Sequence, residues 1–308
     1  MKTNLLKVFV LTLTLGLSSL FASAQTKEIS HDFSAFDAID VDYDFNVSVV
    51  KSKKDYSVEV VVDDVLADYV QTYVKSHTLY ITLDKKSLPS DIKKLYKGRK
   101  SADPVLNATV YLPGDLSSLT LAGAAIFFAS DEIECKDFEL NIKENAKVTK
   151  LSVDAAKFTL ASANKASADI LVYADEIELK ADGNSIINIE QDSEKLLVNA
   201  GGNSTVNVKG EAIDTEIKSS VSGEVILTGK TNSLNITTSG TSRIDALNFH
   251  TPECTVNLSG NSKVTEAATE NLHVTMAGGS TLTYDGNPVF DIVNVKNSSI
   301  IKFENAKK

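Results

Sequence analysis

Apolar and polar residues alternate along most of the chain, and from about residue 117 onward the alternation repeats in blocks of about 19 residues. Each block has a small residue at one position, namely Ala125, Ala146, Ala166, Ser185, Ser204, Gly223, Ser242, Ser262, Ser280 and Ser299. Apolar residues lie six positions before and two positions after it, as Val198 and Val206 do around Ser204. Because strand side chains alternate between two faces, each block predicts a strand, a tight corner, a second strand and a polar return loop of about five residues.

A block of this size cannot bury its own apolar face, whereas stacked blocks can, because every strand pairs in parallel with the same strand of the next block. The sequence therefore predicts an all-β fold, a single-stranded parallel β-helix (solenoid) of about ten 19-residue coils with an N-terminal β cap. At about 4.8 Å per coil, ten coils form a rod of roughly 45 to 50 Å. The same pattern places Val293 and Ile301 in the core of the last coil.

Glycine lies two positions before the small residue in six blocks, which indicates a corner too crowded for a side chain. These residues are Gly123, Gly183, Gly202, Gly240, Gly260 and Gly278. Glu144, Val221 and Asn297 occupy the same position in other blocks, where glycine is expected.

The N-terminal third alternates less regularly, in runs that end near residues 49, 62, 83 and 112. These runs predict longer strands that cover the first coil and protect its edge from aggregation. Residues 65–74 suit a short helix or a connector, and Ile92, Leu95 and Tyr96 lie at helical spacing behind a Ser90 cap. The predicted division is a signal peptide at 1–24, a β cap at 25–115 with a basic insertion at 85–100, and coils at 116–308.

Export is predicted from the first residues of the chain. Lys2 and Lys7 precede an apolar run that ends at Leu20, and Ala22 and Ala24 complete an A-x-A motif, an order typical of a secretory signal peptide cut before Gln25. The run is shorter than the roughly 20 apolar residues of a membrane span, and no second run follows. We therefore expect an exported chain that does not span the membrane, located in the periplasm, on the outer surface or in the medium.

Charge and cysteine content narrow the possible partners. Without residues 1–24 the net charge moves from −10 to −12, because Lys2 and Lys7 are lost with no acid. This acidity disfavours nucleic acid and anionic lipid, whose phosphates need clustered Lys and Arg. Cys135 and Cys254 would lie about six coils apart, near 29 Å, whereas disulfide Cα atoms must lie within about 7 Å, so both are expected to be plain buried thiols.

Catalytic chemistry finds little support in the sequence. Glycoside cleavage needs two carboxyls about 5 to 9.5 Å apart in a cleft, but the outward acids Asp182, Glu224 and Asp245 do not recur at one position of neighbouring coils. The four histidines lack metal-ligand spacing, and the sequence has no nucleophile elbow or phosphate-binding loop. We therefore expect no catalytic residue, no metal site and no cofactor.

Two features are candidate ligand contacts. The corner residues Asn184, Asn203, Thr241 and Asn261, beside Asn188, Asn207 and Thr228, are expected to form an exposed ladder of amides and hydroxyls. Such a ladder either recognises a ligand or stabilises the stacked coils by hydrogen bonding along the row. Residues 85–100 have seven basic side chains and one acid, so Lys93, Lys94, Lys97 and Arg99 are candidate contacts for an anionic glycan or lipid head group, with a solvated insertion as the alternative.

The segment FDAIDVDYDFNVSVVKSKKDYSVEVVVDD, then LYITL, then ATVYLPGDLSSLTLAGAA leading into repeated G-x-S-x-Φ coils resembles the head GIN domain of putative auto-transporter adhesins. The resemblance covers roughly residues 29–303, and its motifs are structural, with no catalytic residue. It implies a right-handed β-helix on an exported protein of Gram-negative bacteria, with a role in adhesion. The basic insertion and the corners without glycine depart from the family pattern.

These observations favour an exported, non-enzymatic interaction module that contacts a glycan or a cell-surface protein. A carbohydrate-active enzyme, a polysaccharide lyase or hydrolase working on one face of the helix, is the first alternative. A structural or envelope-stress component with a protein partner near the N-terminal cap is the second.

Overall fold

The computed structural model describes residues 25–96 and 103–303, and most of this part of the chain is β-structure. The N-terminal strands are β1 (Thr26–Asp32), β2 (Ala38–Val41), β3 (Asn46–Lys51), β4 (Ser57–Asp63), β5 (Val70–Lys75), β6 (Thr78–Leu83) and β7 (Leu106–Leu112). A 3-10 helix (Asp64–Tyr69) joins β4 to β5, and a short helix α1 (Ser90–Leu95) lies between β6 and β7. The later strands are β8 (Ser118–Leu121), β9 (Ile126–Ala129), β10 (Ile133–Ile142), β11 (Lys147–Ser162), β12 (Ser167–Ala181), β13 (Ile186–Ala200), β14 (Thr205–Ser219), β15 (Glu224–Thr238), β16 (Arg243–Leu258), β17 (Lys263–Met276), β18 (Thr281–Tyr284), β19 (Val289–Val295) and β20 (Ser299–Lys302).

Stacked parallel strands confirm the predicted β-solenoid. From β10 to β17 each strand pairs in parallel with the next, so that Ile187 lies opposite Val206 and Val206 opposite Val225. The strands β12 to β15 each have 15 residues and extend from one tight corner to the next. The predicted polar return loop is therefore wrong, because the bent segment keeps its ladder of hydrogen bonds to the same segment of the next coil.

Buried serines explain why small residues mark the corners. Ser185, Ser204 and Ser242 are fully buried, and the hydroxyl of each donates to the carbonyl three residues earlier, at 2.8, 2.7 and 2.8 Å. The same bond is made by Ser262 and Ser280, at 2.9 and 3.0 Å. A buried hydroxyl must find a partner, so this bond both satisfies the side chain and closes the turn.

The residue two positions before the small residue has a left-handed backbone even where it is not glycine. Its φ lies between 52° and 80° at Gly123, Glu144, Asn164, Gly183, Gly202, Val221, Gly240, Gly260, Gly278 and Asn297. Glu144, Asn164, Val221 and Asn297, the four of these residues that are not glycine, therefore adopt the conformation that favours glycine at the other corners.

The N-terminal third supplies two further coils that stack out of chain order. β2 and β3 pair in parallel with β8 and β9 on one side and with β6 and β7 on the other. The order along the rod is therefore β6 with β7, then β2 with β3, then β8 with β9. The β2–β3 coil turns at Tyr43, whose φ is 85°, and a Cβ on Gly123 would lie 2.8 Å from the Tyr43 Cα atom.

Antiparallel strands cover this end of the rod. β4 pairs antiparallel with β7 and with β1, and β5 pairs antiparallel with β6. The segment between β6 and β7 is 84–105 in the sequence, and its described part contains α1. The helix begins after Pro89 without a side-chain cap, so the predicted Ser90 cap is wrong.

The last coil departs from the repeat, and two predicted core residues are exposed there. Val293 is 70% exposed because the register of β19 shifts, so that Val274 pairs with Ile292 and Thr275 with Asn294. Ile301 is 50% exposed because Leu282 pairs with Ile300, one residue earlier than the 19-residue repeat requires. Placing Val293 and Ile301 in the core was therefore wrong.

The two cysteines lie in different parts of the rod, Cys135 in β10 and Cys254 in β16, and both are free thiols. Cys254 is buried as expected, whereas Cys135 is only half-buried. Burial raises the pKa of the Cys135 thiol to about 11, so it is protonated at neutral pH.

The predicted signal peptide at 1–24 lies outside the described residues, and within those residues no helix has the length and apolar character of a transmembrane segment.

Candidate functional site

The four predicted corner residues Asn184, Asn203, Thr241 and Asn261 lie in one exposed row, together with Ser222. Each backbone N–H of the row donates to the carbonyl of the left-handed residue one coil earlier, as Asn203 does to Gly183 at 2.6 Å and Asn261 to Gly240 at 2.7 Å. Ser222 occupies the position between Asn203 and Thr241, and its backbone N–H donates to Gly202. It precedes the small residue Gly223 as Asn203 precedes Ser204, so the repeat contained the signal that would have found it.

Hydrogen bonds along this row are short in one place and long in another. The hydroxyls of Ser222 and Thr241 lie 2.9 Å apart, and Thr241 Oγ1 also lies 2.9 Å from the Val221 carbonyl oxygen. Asn203 Nδ2 lies 3.4 Å from Asn184 Oδ1, at the limit of a hydrogen bond. The amides of this row are therefore weakly engaged with each other and face solvent.

A second row lies on the strand that follows the corner. Asn188 Nδ2 donates to Asp169 Oδ1 at 2.6 Å, and Asn207 Nδ2 donates to Asn188 Oδ1 at 2.7 Å. Asn207 pairs with Ile226 in the next coil, whereas Thr228 pairs with Lys209, so Thr228 does not belong to the row where the sequence placed it. Asp169 was missed, although it lies three residues after Ala166 as Asn188 lies three after Ser185.

Two open grooves flank the corner row. The first, of about 380 Å³, follows the corner and is lined by Asp169, Asn188, Asn207, Ile226, Thr228 and the ion pair of Glu190 with Lys209. The second, of about 340 Å³, precedes the corner and is lined by small residues and by Lys180, Asn199 and Lys218. Both grooves cross several coils, so they follow the long axis of the rod.

The basic helix lies on the same edge of the rod as the corner row but not beside it. Lys93 and Lys94 are exposed on α1, while Lys97 and Arg99 lie outside the described residues. Five coil spacings separate the insertion from Asn184, roughly 24 Å in all. Within the insertion Lys85 Nζ lies 4.3 Å from the centre of the Tyr43 ring, a cation–π contact that the sequence did not indicate.

The three outward acids considered as catalytic candidates each have a structural partner. Asp182 Oδ1 accepts from the Gly183 N–H at 2.7 Å, and Glu224 Oε1 lies 3.4 Å from Arg243 Nε. Asp245 Oδ1 accepts from the Thr265 hydroxyl at 2.8 Å. The acids lie in different rows, so they do not form a pair.

Two described carboxyls have a raised pKa, and they lie near opposite ends of the rod. Burial raises the pKa of Asp40, and the nearby Lys143 opposes this shift. Burial raises the pKa of Glu266 to about 7, against a hydrogen bond from the Ala268 N–H. Eight coils separate β2 from β17, roughly 38 Å, whereas a glycosidase pair lies within about 9.5 Å.

Among the residues that the structure describes, no three His, Cys, Asp or Glu side chains lie close enough together to hold a metal ion. His31 Nδ1 lies 2.6 Å from the Thr72 hydroxyl, and His273 Nδ1 lies 3.0 Å from Asp291 Oδ2. Both contacts are on the surface; the first joins β1 to β5, and the second joins the paired strands β17 and β19.

Comparison with known proteins gives one family. The family described as "Putative auto-transporter adhesin, head GIN domain" matches residues 35–191 and again residues 162–288. No match was found among the curated proteins.

Three solved structures that the chain is similar to come from Parabacteroides species. A putative adhesin from Parabacteroides distasonis is 16% identical, with 91% of this chain and 98% of that chain covered and a TM-score of 0.53. A putative adhesin from Parabacteroides merdae is 15% identical, with coverage of 92% and 98% and a TM-score of 0.49. A putative lipid binding protein from Parabacteroides distasonis is 17% identical, with coverage of 92% and 98% and a TM-score of 0.46. At these identities the likeness to the first structure concerns the fold alone.

Proposed function

The chain belongs to the family of head GIN domains of putative auto-transporter adhesins, and we propose that it is an exported, non-enzymatic module that binds a glycan or protein of a cell surface. The order of charged, apolar and small residues in 1–24 supports export to the periplasm, the outer surface or the medium. The family description supports a role in surface contact.

One observation supports recognition more than any other, which is that the outward polar side chains lie in rows. Asn184, Asn203, Ser222, Thr241 and Asn261 occupy one position of five successive coils, so the row presents a polar group at every coil, about every 4.8 Å. A surface of this kind can contact an extended ligand at several equivalent points. Weak contacts at many points add up when they act on one ligand.

The distribution of acids favours binding over cleavage. Asp182, Glu224 and Asp245 are each bonded to a neighbouring group, and the two carboxyls with raised pKa are roughly eight coils apart. A lyase or hydrolase would need convergent groups in one cleft.

The test uses the mature chain, residues 25–308, on an array of bacterial and host glycans and on intact cells, with soluble products analysed from the same wells. Saturable binding without released sugar is the expected result. Released sugar would replace the proposal with a carbohydrate-active enzyme. Binding to cells but to no glycan would indicate a protein partner, and absence of binding to both would contradict a recognition role.

Deletion of residues 85–100 separates the basic insertion from the rest of the surface. If binding survives this deletion, the coils contain the site. The deletion also removes the buried Leu88 and Tyr96, which bonds to Asp63, so lost binding is assigned to the insertion only if it recurs when Lys93 and Lys94 are replaced by Gln. That variant removes two charges and keeps the length of the segment.

A further inference from the structure

The row formed by Asp169, Asn188 and Asn207 has a fixed direction of hydrogen bonding. A carboxylate only accepts, so Asn188 must turn its Nδ2 toward Asp169, and the distance is 2.6 Å. The carbonyl of Asn188 then faces the next coil, where it accepts from Asn207 Nδ2 at 2.7 Å. The chemistry of Asp169 therefore sets the orientation of both amides.

This ladder ends on an acceptor that has no donor beside it. The next residue of the row is Ile226, which cannot donate, and among the described side chains none donates to Asn207 Oδ1. Asp245, one coil further, is an acceptor for Thr265 and for the Leu247 N–H. Each amide also keeps a second N–H, because only one N–H of each NH₂ group is used within the ladder.

Apolar and charged groups complete the groove around this acceptor. Ile226 is 37% exposed and lies in the groove of about 380 Å³ beside Asn207. Glu190 and Lys209 form an ion pair at 3.0 Å on the same surface, so their charges cancel. Asp169 is then the only described charge among the lining residues without a partner of opposite charge, which makes the groove weakly negative.

Sugars match this combination of groups. A pyranose has hydroxyls that donate and accept and a face of C–H groups that packs on apolar side chains. The coil spacing of about 4.8 Å is close to the length that one sugar adds to an extended chain. Successive sugars can therefore meet Asn188, Asn207 and Ile226 in turn.

We propose that this groove binds a neutral, extended glycan along the rod axis, with Asn207 Oδ1 accepting from a sugar hydroxyl and Ile226 contacting a C–H face. The second N–H groups of Asn188 and Asn207 donate to sugar oxygens. The unbalanced carboxylate of Asp169 disfavours glycans that contain uronic acids or phosphates. This inference rests on the proposed function and assigns it a site and a ligand class.

The experiment measures binding of the mature chain to neutral hexasaccharides of glucose, xylose and N-acetylglucosamine, with oligogalacturonate as the acidic comparison. Asn207→Ala removes the acceptor, and Ile226→Asn supplies a donor to Asn207 while removing the apolar contact. Each variant is expected to weaken binding by about tenfold, the effect of losing one good contact. Melting temperatures of both variants are measured alongside, so that weaker binding at an unchanged melting temperature is assigned to the lost contact and not to lost structure. Asn235→Ala is the matched control, because this exposed amide of β15 lies outside both grooves and outside the corner row, and it should change binding less than twofold.

The outcomes distinguish this site from the proposed function as a whole. If Asn207→Ala and Ile226→Asn leave glycan binding unchanged, the groove is not the binding site. Preference for oligogalacturonate over the neutral hexasaccharides likewise contradicts the proposed site. Either result leaves the proposed recognition function intact. Binding to cells without binding to any hexasaccharide overturns the glycan ligand, and failure of both overturns recognition as well.

Discussion

Val221 and Gly240 occupy the same corner position of consecutive coils, and both have a left-handed backbone, with φ of 63° and 76°. A Cβ on Gly240 would lie 2.5 Å from the carbonyl oxygen of Val221. Val221 has a branched side chain in this conformation, and that side chain is 61% exposed. The corner therefore holds a β-branched residue at a cost of about 1 to 2 kcal/mol, with little apolar contact to offset it.

Replacing Val221 by Gly should stabilise the protein. The substitution removes the left-handed strain, and the greater freedom of glycine in the unfolded chain offsets part of the gain, which leaves about 1 kcal/mol. The free energy of unfolding in urea measures the effect. The reciprocal control, Gly240→Val, should lower that free energy, and a loss of stability in Val221→Gly would show that the corner is not strained.

Two stacked glycines lie within the strands, Gly210 and Gly229, with φ of 142° and 130°. A Cβ on Gly229 would lie 1.8 Å from the Gly210 carbonyl oxygen, and a Cβ on Gly210 would lie 1.7 Å from the Gln191 carbonyl oxygen. Backbone atoms cannot move aside as a flexible side chain can. Gly229→Ala is therefore expected to cost about 3 kcal/mol or more in the free energy of unfolding.

Gly201 gives the matched control for this substitution. The nearest atom to a Cβ on Gly201 is a side-chain oxygen of Asp182 at 3.4 Å, an ordinary contact. Gly201→Ala should change the free energy of unfolding by less than about 1 kcal/mol. Equal costs at Gly201 and Gly229 would contradict the steric explanation.

The alternation of apolar and polar residues was sufficient to predict the coils from Gly123 onward, because each of them stacks on the coil that follows it in the chain. The β2–β3 coil could not be found in that way, since Tyr43 lies against Gly123, eighty residues later, and its other neighbour is β6–β7. The register of the last described strands was also not predictable. Leu282 pairs with Ile300, and because residues 300 and 301 are both isoleucine, the alternation of the sequence does not distinguish this register from the expected one.

The candidate site was partly visible in the sequence. Asn188 and Asn207 follow from the repeat, but the ladder depends on Asp169 at its start and on Ile226 at its end, neither of which is an amide. Selecting amides and hydroxyls alone led to Thr228, two residues away from the row. The direction of these hydrogen bonds depends on which side chains are neighbours in the folded chain, and the amino-acid composition does not show that.

The basic insertion is attached to the cap through Tyr96 and Asp63. Tyr96 donates its hydroxyl to Asp63 Oδ2 at 2.8 Å, and burial together with this carboxylate raises the pKa of Tyr96. Asp63 is buried, so loss of the donor leaves a buried carboxylate with fewer partners. Tyr96→Phe is expected to cost about 1 to 3 kcal/mol of unfolding free energy.

Tyr111→Phe is the control for that variant, because Tyr111 donates to Glu59 at 3.0 Å and both residues are only half-buried. Its expected cost is below about 1 kcal/mol, since water can replace the lost partner. Thermal unfolding of the two variants should differ clearly. If Tyr96→Phe and Tyr111→Phe melt together, the bond to Asp63 does not fix the insertion.

The raised pKa of Glu266 is expected to make the stability of the protein depend on pH. Its side chain is fully buried in β17; Oε2 accepts from the Ala268 N–H at 2.7 Å, and Oε1 has no partner. The pKa is about 7 in the folded chain against an ordinary value of 4.5, so between these values the folded state holds a proton that the unfolded state has lost. Stability therefore falls as pH rises from 4.5 to 7, by about 3 kcal/mol from this group, at roughly 1.4 kcal/mol per pH unit.

Glu266→Gln tests this assignment because it keeps the shape of the side chain and removes its ionisation. Unfolding free energies of the wild type and the variant should converge near pH 4.5 and separate as pH approaches 7, with the variant more stable above that value. Glu270→Gln is the matched control on the exposed part of the same strand and should keep the wild-type slope. Parallel curves for the wild type and Glu266→Gln would mean that Glu266 stays ionised in the core or that the coil opens to hydrate it.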